Sequence, residues 1–284
     1  MSAIKEPSVA CICVTKNRPV YLHRSIEMFE KQSYSNRELI VVCDSNDDQS
    51  IGIAKEKNIE PLIVPHHLVL SLGEIRNLAK TAAFRADYVC QWDDDDWFHA
   101  DRLDLQMKGL FEFDQSACAL TNWIIFDELT GKSYLSMFRL WEGTAVYNSS
   151  HAQNVQFPKR GLGEDTIFLN AYIKQYGILP VTLPHLYIYR IHSNNSWNSS
   201  HKHFDMMIAQ SQLLQDDVCD FIKGHIDSTT GYYDLCNFLK SKEVLSGFHF
   251  FKFNNLNYSN QQLIEYMNKV DKYDDEYFRS MIEV

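Results

Sequence analysis

Glycine and proline are scarce in the chain, 11 and 7 of 284 residues, which argues against collagenous, low-complexity and linker-like sequences. No stretch approaches the roughly 18 uninterrupted apolar residues of a membrane-spanning helix, and Met1 to Pro7 lacks the apolar core of a secretory leader. The chain therefore reads as cytoplasmic. Positive charge is also in deficit: 27 Lys and Arg face 37 Asp and Glu, for a formal net charge of −10 and a pI of about 5.5. Nucleic-acid binders draw affinity from clustered basic residues, so no nucleic-acid partner is expected. The same acidity leaves room for a nucleotide carried on a divalent cation, because carboxylates hold the cation and the cation holds the phosphates. The cysteines, Cys11, Cys13, Cys43, Cys90, Cys118, Cys219 and Cys236, include no CxxC pair, which argues against a zinc cluster and a disulfide scaffold.

What is present is 45% hydrophobic residues, enough for one large core. Short apolar runs at Val9 to Val14, Glu38 to Cys43, Pro61 to Pro65 and Tyr88 to Trp92 predict buried strands. Cys11 and Cys13, two apart on the first, fall on one face as small buried hydrophobes. Between these runs, Leu22, Ile26 and Phe29 recur at helical spacing, residues 51–58 read as helix, and Leu72 to Phe84 reads as a helix opened by Gly73. Buried strands alternating with helices imply an α/β fold with a mostly parallel sheet. Beyond Gln106 the spacing predicts one strand over Ala117 to Phe126, shorter strands at Tyr134 to Arg139 and Gly143 to Tyr147, and a helix over Glu164 to Tyr176. After His192-Ser193-Asn194-Asn195-Ser196-Trp197 the composition shifts, and residues 200–284 read as mostly helical.

Ligands of parallel α/β sheets bind beyond the carboxyl ends of the strands. Three of those ends carry Thr15-Lys16-Asn17-Arg18, Asp44 with its polar neighbours, and Asp93-Asp94-Asp95-Asp96, so one sheet edge is the expected site. Four consecutive Asp at the end of an apolar strand repel one another unless a positive charge is supplied. A solvated turn is one reading of such a run. The flanking Trp92 and Trp97-Phe98 favour the other, an oxygen-preferring divalent cation, Mg²⁺ or Mn²⁺.

These residues carry a resemblance. Val14-Thr15-Lys16-Asn17-Arg18, Glu38 to Asp44, Gly73-Glu74-Ile75-Arg76-Asn77, Asp93 to Trp97, Gly161-Leu162-Gly163-Glu164-Asp165 and Arg190 to Ser196 stand in the order of a family-2 glycosyltransferase of the GT-A fold, over about residues 8–197. The resemblance implies a GT-A domain over residues 1–199, Rossmann-like, with a central sheet flanked by helices, and a mostly helical extension over residues 200–284. It implies that Thr15, Asn17 and Arg18 line the nucleotide pocket, and that Asp44 accepts a hydrogen bond from uracil. Gly73, Arg76 and Asn77 would stand near the sugar or diphosphate. Asp93 and Asp94 would contact the donor, Asp95 with Asp93 and His192 would hold Mn²⁺ or Mg²⁺, and Asp96 would support the site. Asp165 would be the general base, with Glu164 beside it. The chain departs from the family's usual pattern at Cys43, often an acid, and at Ser45, often a glycine. The Glu164-Asp165 pair also suits a helix N-terminus, where the macrodipole favours acids.

The resemblance implies an inverting glycosyltransferase that uses a nucleotide-diphospho-sugar, a UDP-sugar by preference. Its acceptor would be a glycan, lipid-linked or protein hydroxyl, most commonly in bacterial cell-surface polysaccharide or lipopolysaccharide synthesis. A protein glycosyltransferase, a metal-dependent nucleotidyltransferase and a non-catalytic nucleotide-sugar binding module are the alternatives. Residues 200–284 are expected to cover the acceptor or mediate self-association. The aromatic run Phe248 to Phe253 is expected in the core, with peripheral contact at the inner membrane face as its alternative.

Overall fold

The first strand, β1 (Val9–Val14), is buried almost throughout, and helix α1 (Pro19–Glu30) begins on a proline, whose fixed φ suits a first turn. This is the computed structural model of the chain, and it describes residues 6–195, 202–227, 232–242 and 244. The alternation continues through β2 (Arg37–Asp44), α2 (Asp48–Glu56), β3 (Leu62–Val64), α3 (Leu72–Ala82) and β4 (Tyr88–Gln91). Asp47 caps α2 by accepting from Ser50 N. Ser71 and Glu74 form a reciprocal capping box at the start of α3. Then follow β5 (Trp97–Phe98), α4 (Arg102–Glu112), β6 (Ala117–Leu120), β7 (Ile124–Asp127), β8 (Lys132–Leu135), β9 (Val146–Asn148), α5 (Ser149–Gln153), α6 (Glu164–Tyr176), β10 (Leu179–Val181) and β11 (Tyr187–Ile191).

Seven strands form a sheet in the order β10-β6-β9-β4-β1-β2-β3. The pairs β1 with β2, β1 with β4, β2 with β3 and β6 with β10 are parallel, and only β9 runs against its neighbours β4 and β6. The expected mostly parallel sheet is therefore present. Apolar side chains pack on both of its faces, Cys11, Cys13 and Val41 into one cluster and Ala10, Ile12 and Val42 into the other.

One expectation is corrected. Ala117 to Phe126 is not one strand but two, β6 in the first sheet and β7 in a second, whose order is β12 (Gln212–Leu213), β8, β7, β11, β5. Between them Thr121 N bonds Val181 O at 2.9 Å, and Asn122 Nδ2 and Trp123 N bond Ser136 O and Oγ, each at 3.0 Å. The backbone thus changes partners while its side chains stay buried, so hydrophobic periodicity passes over the break. The expected strands at Tyr134 to Arg139 and Gly143 to Tyr147 are displaced likewise, to Lys132–Leu135 and Val146–Asn148. The second of these follows a 3-10 turn at Glu142–Thr144.

Beyond residue 200, helices α7 (Lys202–Ala209), α8 (Asp216–His225) and α9 (Tyr232–Ser241) accompany β12 (Gln212–Leu213), which pairs with β8. Among the described residues no helix is long and apolar enough to cross a membrane. Ser196, Trp197 and Phe248 to Phe253 lie outside the described residues.

A strap, residues 152–160, lies across α3, with its Ala152, Val155 and Phe157 buried. The amide of Asn77 pairs with both backbone groups of Phe157, at 2.9 and 3.0 Å, and Gly73 N bonds Arg160 O at 3.1 Å. Lys80, almost wholly buried, donates to Ala152 O at 3.0 Å and to Val155 O, with its ammonium over the Phe157 and Phe168 rings. A Cβ at Gly73 would lie 1.9 Å from Pro158 O. Gly73→Ala should therefore push the strap off α3 and destabilise the protein by about 1–3 kcal/mol. The check is urea unfolding, where the midpoint should fall.

Candidate active site

The carboxyl ends of β1, β2, β3 and β4 open on one cavity of about 520 Å³, within the range of small-molecule sites. Thr15, Arg18, Asp44, Arg76, Asp93 to Asp96, Glu164 and Asp165 all line it. They come from separate strand ends and helix starts, so their meeting is a product of topology.

At one part of the wall, Asp44 ends β2. Its carboxylate accepts from Asn46 N at 3.0 Å and from His66 Nδ1 at 3.0 Å, and these bonds, the backbone one first, hold its pKa below the usual carboxylate value. His66 follows the end of β3 and also bonds Ser45 Oγ through its backbone N at 2.9 Å. The strand ends expected to form the site were those of β1, β2 and β4. The same strand-end rule applied to β3 identifies His66.

The four aspartates diverge in their partners. Arg76 Nη2 donates to Asp93 Oδ1 at 3.2 Å. Asp94 accepts from Thr15 Oγ1 at 2.6 Å and faces Arg18 at 3.3 Å, while Arg18 also bonds Asp95 Oδ2. Asp96 turns away from these toward the second sheet, where it accepts from Tyr187 OH and, at 3.2 Å, from Arg190 N. Tyr187 in turn accepts from Trp141 Nε1 at 3.0 Å. Burial raises the pKa of Asp93, with Arg76 opposing and Asp95 adding to it. Burial and then the Asp95 charge push Asp94 up to about 7, against the pull of Arg18. Asp96 is raised by burial and by Asp95 and Asp93. Asp95 is the exception: burial would raise it, but the His192 hydrogen bond and Arg18 bring it below the usual value.

His192 reaches this cluster through strand register. β11 pairs antiparallel with β5, with Ile188 opposite Trp97, so residues just after β11 meet those just before β5. His192 Nε2 lies 3.1 Å from Asp95 Oδ2, its Nδ1 accepts from Asn194 N at 3.1 Å, and its ring stacks on Tyr21. With Nδ1 engaged as an acceptor, Nε2 carries the proton and faces Asp95 as a donor. In this arrangement His192 orients Asp95, and ligating a cation would require the other tautomer.

The second acidic group sits at the start of α6. Gly163 adopts a left-handed φ of 68° before the helix, which brings Glu164 and Asp165 to the cavity in its first turn. Arg76 Nη1 lies 3.3 Å from Glu164 Oε1 and 3.5 Å from Asp165 Oδ2. One guanidinium thus joins Asp93 to both acids. Burial would lower its pKa, but Asp93, Glu164 and Asp165 together raise it. Behind them, buried Glu142 accepts from Arg139 at 2.9 Å and from Thr166 Oγ1 at 2.7 Å.

Three residues expected to contact substrate are not on the cavity wall. Gly73 and Asn77 hold the strap that leads to Gly161 and α6. Asn17 adopts a left-handed φ of 54° and donates its backbone N–H to Asp47 Oδ2 at 2.6 Å. All three position the site from behind. Trp141, Tyr187 and Tyr189, which do line the cavity, were not anticipated, because only the pairing of β11 brings the two tyrosines there.

A divalent cation fits these residues. Asp93 to Asp96 place four buried or half-buried carboxyls beside the two guanidiniums of Arg18 and Arg76, and three of the four have pKa values raised by burial and mutual repulsion. The donors are hard oxygens. Among the described residues no three His, Cys, Asp or Glu side chains already stand as a ligand set. Asp93 and Asp95 are the carboxylates that would hold it.

The family described as glycosyl transferase family 2 matches residues 10–174. The putative glycosyltransferase EpsH of Bacillus subtilis (strain 168) is 28% identical over 218 residues, 66% of this chain and 62% of EpsH. The chain thus spans less than two thirds of that relative's length. Among solved structures, residues 1–349 of S. aureus TarS in complex with UDP-GlcNAc superpose with a TM-score of 0.54 at 16% identity, covering 91% of this chain and 79% of that one. The mannosyltransferase PcManGT from Pyrobaculum calidifontis, in complex with GDP-Man and Mn²⁺, superposes with a TM-score of 0.55 at 12% identity, covering 96% and 88%. At these identities the likeness is one of fold, the GT-A arrangement.

Burial pushes Glu164 up to about 7, Arg76 opposing and Asp165 adding to the shift. A carboxyl whose pKa rises on folding binds its proton more tightly in the native state. Its contribution to stability is therefore present at low pH and is lost as pH rises from the unfolded value toward about 7. Glu164→Gln should flatten the fall in Tm between about pH 5 and pH 7, measured by thermal denaturation without added cation.

Proposed function

The chain belongs to glycosyl transferase family 2, and from that premise we propose that it moves a sugar from a UDP-sugar to a hydroxyl acceptor with inversion at the anomeric carbon. The observation that carries the proposal is a single cavity lined by Asp44, by Asp93 to Asp96 and by Asp165, with Arg76 bonded to acids of both groups. Asp44 offers a carboxylate to a base N–H, which suits uracil, with Lys16 near it on the same wall. The fold neighbours were crystallised with UDP-GlcNAc in one case and with GDP-Man and Mn²⁺ in the other, which supports a nucleotide-diphospho-sugar as the donor class.

Asp93 and Asp95 would hold Mn²⁺ or Mg²⁺, which when bound supplies positive charge to the departing diphosphate. Asp165 takes the proton of the acceptor hydroxyl as that oxygen bonds to C1 and the bond from C1 to the diphosphate oxygen breaks. UDP leaves, and one displacement inverts the centre. Arg76, which also faces Glu164, holds Asp165 in place. Assembly of a bacterial cell-surface polysaccharide or lipopolysaccharide is the acceptor class proposed, worked at the inner face of the membrane.

The test measures UDP release and sugar transfer with UDP-sugars and Mn²⁺, together with the thermal shift produced by UDP and Mn²⁺. Asp165→Asn should lower kcat by about 10²–10⁴ while keeping the UDP shift. Unchanged turnover in Asp165→Asn removes the base assignment, and the lack of any UDP shift in the unmodified protein removes the pocket.

A further inference from the structure

Two arginines serve the acidic cluster, and they are held differently. Arg76 is 9% exposed and contacts Asp93, Glu164 and Asp165 at once, which pins it. Arg18 is 20% exposed, lies on the cavity wall just ahead of α1, and among the described residues pairs with two acids, Asp94 Oδ1 at 3.3 Å and Asp95 Oδ2. That Asp95 oxygen is the one His192 Nε2 also faces, at 3.1 Å.

Asp95 is a carboxylate assigned above to the cation. A divalent cation that takes Asp95 Oδ2 competes with the Arg18 guanidinium for that oxygen, and their repulsion across a few ångströms disfavours both staying on it in a partly buried site. Cation binding at Asp95 therefore loosens Arg18 from it. Arg18 then stands on the wall of a cavity whose expected occupant carries a diphosphate, and the planar guanidinium fork matches phosphate oxygens better than any other side chain.

We propose that Arg18 is an exchangeable counterion: it holds Asp94 and Asp95 until the cation arrives, then transfers to the diphosphate, so that cation and nucleotide each favour binding of the other. The proposal rests on the glycosyltransferase reading. Arg18 is a positioning residue for Asp95 in the first state and a donor-binding residue in the second. Reciprocity follows, since any factor by which nucleotide raises cation affinity must equal the factor by which cation raises nucleotide affinity.

The experiment titrates Mn²⁺ into the full chain, reading free Mn²⁺ by electron paramagnetic resonance, with and without UDP, for the unmodified protein, Arg18→Met, Arg18→Lys and Lys16→Met. Without UDP, Arg18→Met should bind Mn²⁺ at least about fivefold more tightly than the unmodified protein, and its gain in affinity on adding UDP should be smaller. Arg18→Lys should fall between the two. Arg18→Met should also melt at a lower temperature without Mn²⁺ and show a larger stabilisation by Mn²⁺. Mn²⁺ affinity that is unchanged or weaker in Arg18→Met overturns the counterion role while leaving the glycosyltransferase reading intact. Equal tightening in Lys16→Met also overturns it, since that result reports net charge in the cavity rather than the contact with Asp95. An unmodified protein that binds neither Mn²⁺ nor UDP overturns both.

Discussion

The structure turns on the cost of placing four consecutive carboxyls at the end of a buried strand. Left alone, Asp93 to Asp96 would exist mostly as neutral acids, since burial and mutual repulsion both oppose ionisation. The surrounding fold answers each one separately. Arg76 faces Asp93, Thr15 and Arg18 face Asp94, Arg18 and His192 face Asp95, and Tyr187 with the backbone of Arg190 takes Asp96. Only Asp95 emerges with a pKa below the usual value. Adjacent, chemically identical side chains thus become four distinct groups, one held below the usual pKa by His192 and Arg18 and another tied into the second sheet.

Much of the architecture can be understood as the means of delivering those partners. The parallel sheet sets the ends of β1, β2, β3 and β4 side by side, which brings Thr15, Arg18, Asp44 and His66 to the same rim as the aspartates. The second sheet serves the other side. Because β5 begins directly after Asp96 and pairs with β11, the chain after β11 returns to the cluster nearly a hundred residues later in sequence. The strap across α3 does the same for α6, as Asn77, Gly73 and Lys80 hold residues 152–160 and so bring Gly161 to Asp165 into the cavity. Arg76 lies on the inner face of that same helix, so the helix that anchors the strap also supplies the charge that holds the acids at its far end.

How much of this was legible in sequence depended on the range of the interaction. The strands up to Tyr88, the helices between them and α6 follow from local periodicity, and α6 was read to its terminal residues, Glu164 and Tyr176. The strand-end rule located the rim, so Thr15, Arg18, Asp44 and Asp93 to Asp96 could be grouped without knowing any contact. His66 obeys the same rule and was passed over. The break between β6 and β7 was invisible because Thr121 to Trp123 stay buried while their hydrogen bonds change sheet, and hydrophobicity does not record where backbone bonds go. Tyr187 and Trp141 carry no local signal at all. Their place beside Asp96 depends on the register of β11 against β5, which is a property of paired strands rather than of either segment. Gly73, Asn77 and Asn17 illustrate the converse: they sit within motifs of the site, yet their side chains or backbone groups are spent on supporting chain segments.

The choice of arginine at positions 18 and 76 follows from the same electrostatic demand. A lysine ammonium is a strongly hydrated point charge and loses its proton readily on burial, as Lys80 illustrates where burial lowers it to about 8 on carbonyl partners. The guanidinium remains charged in the cavity wall and spreads its donors over several oxygens, which lets Arg76 reach acids from α6 and from the end of β4 together. A point charge at position 76 could neutralise one of these acids but could not set the spacing between them. In the proposed reaction, that spacing would set how an acceptor hydroxyl near Asp165 meets a sugar whose diphosphate lies against Asp93 and Asp95. The buried guanidinium is therefore a structural ruler as well as a counterion, and the acids it joins derive both their charge balance and their mutual geometry from it.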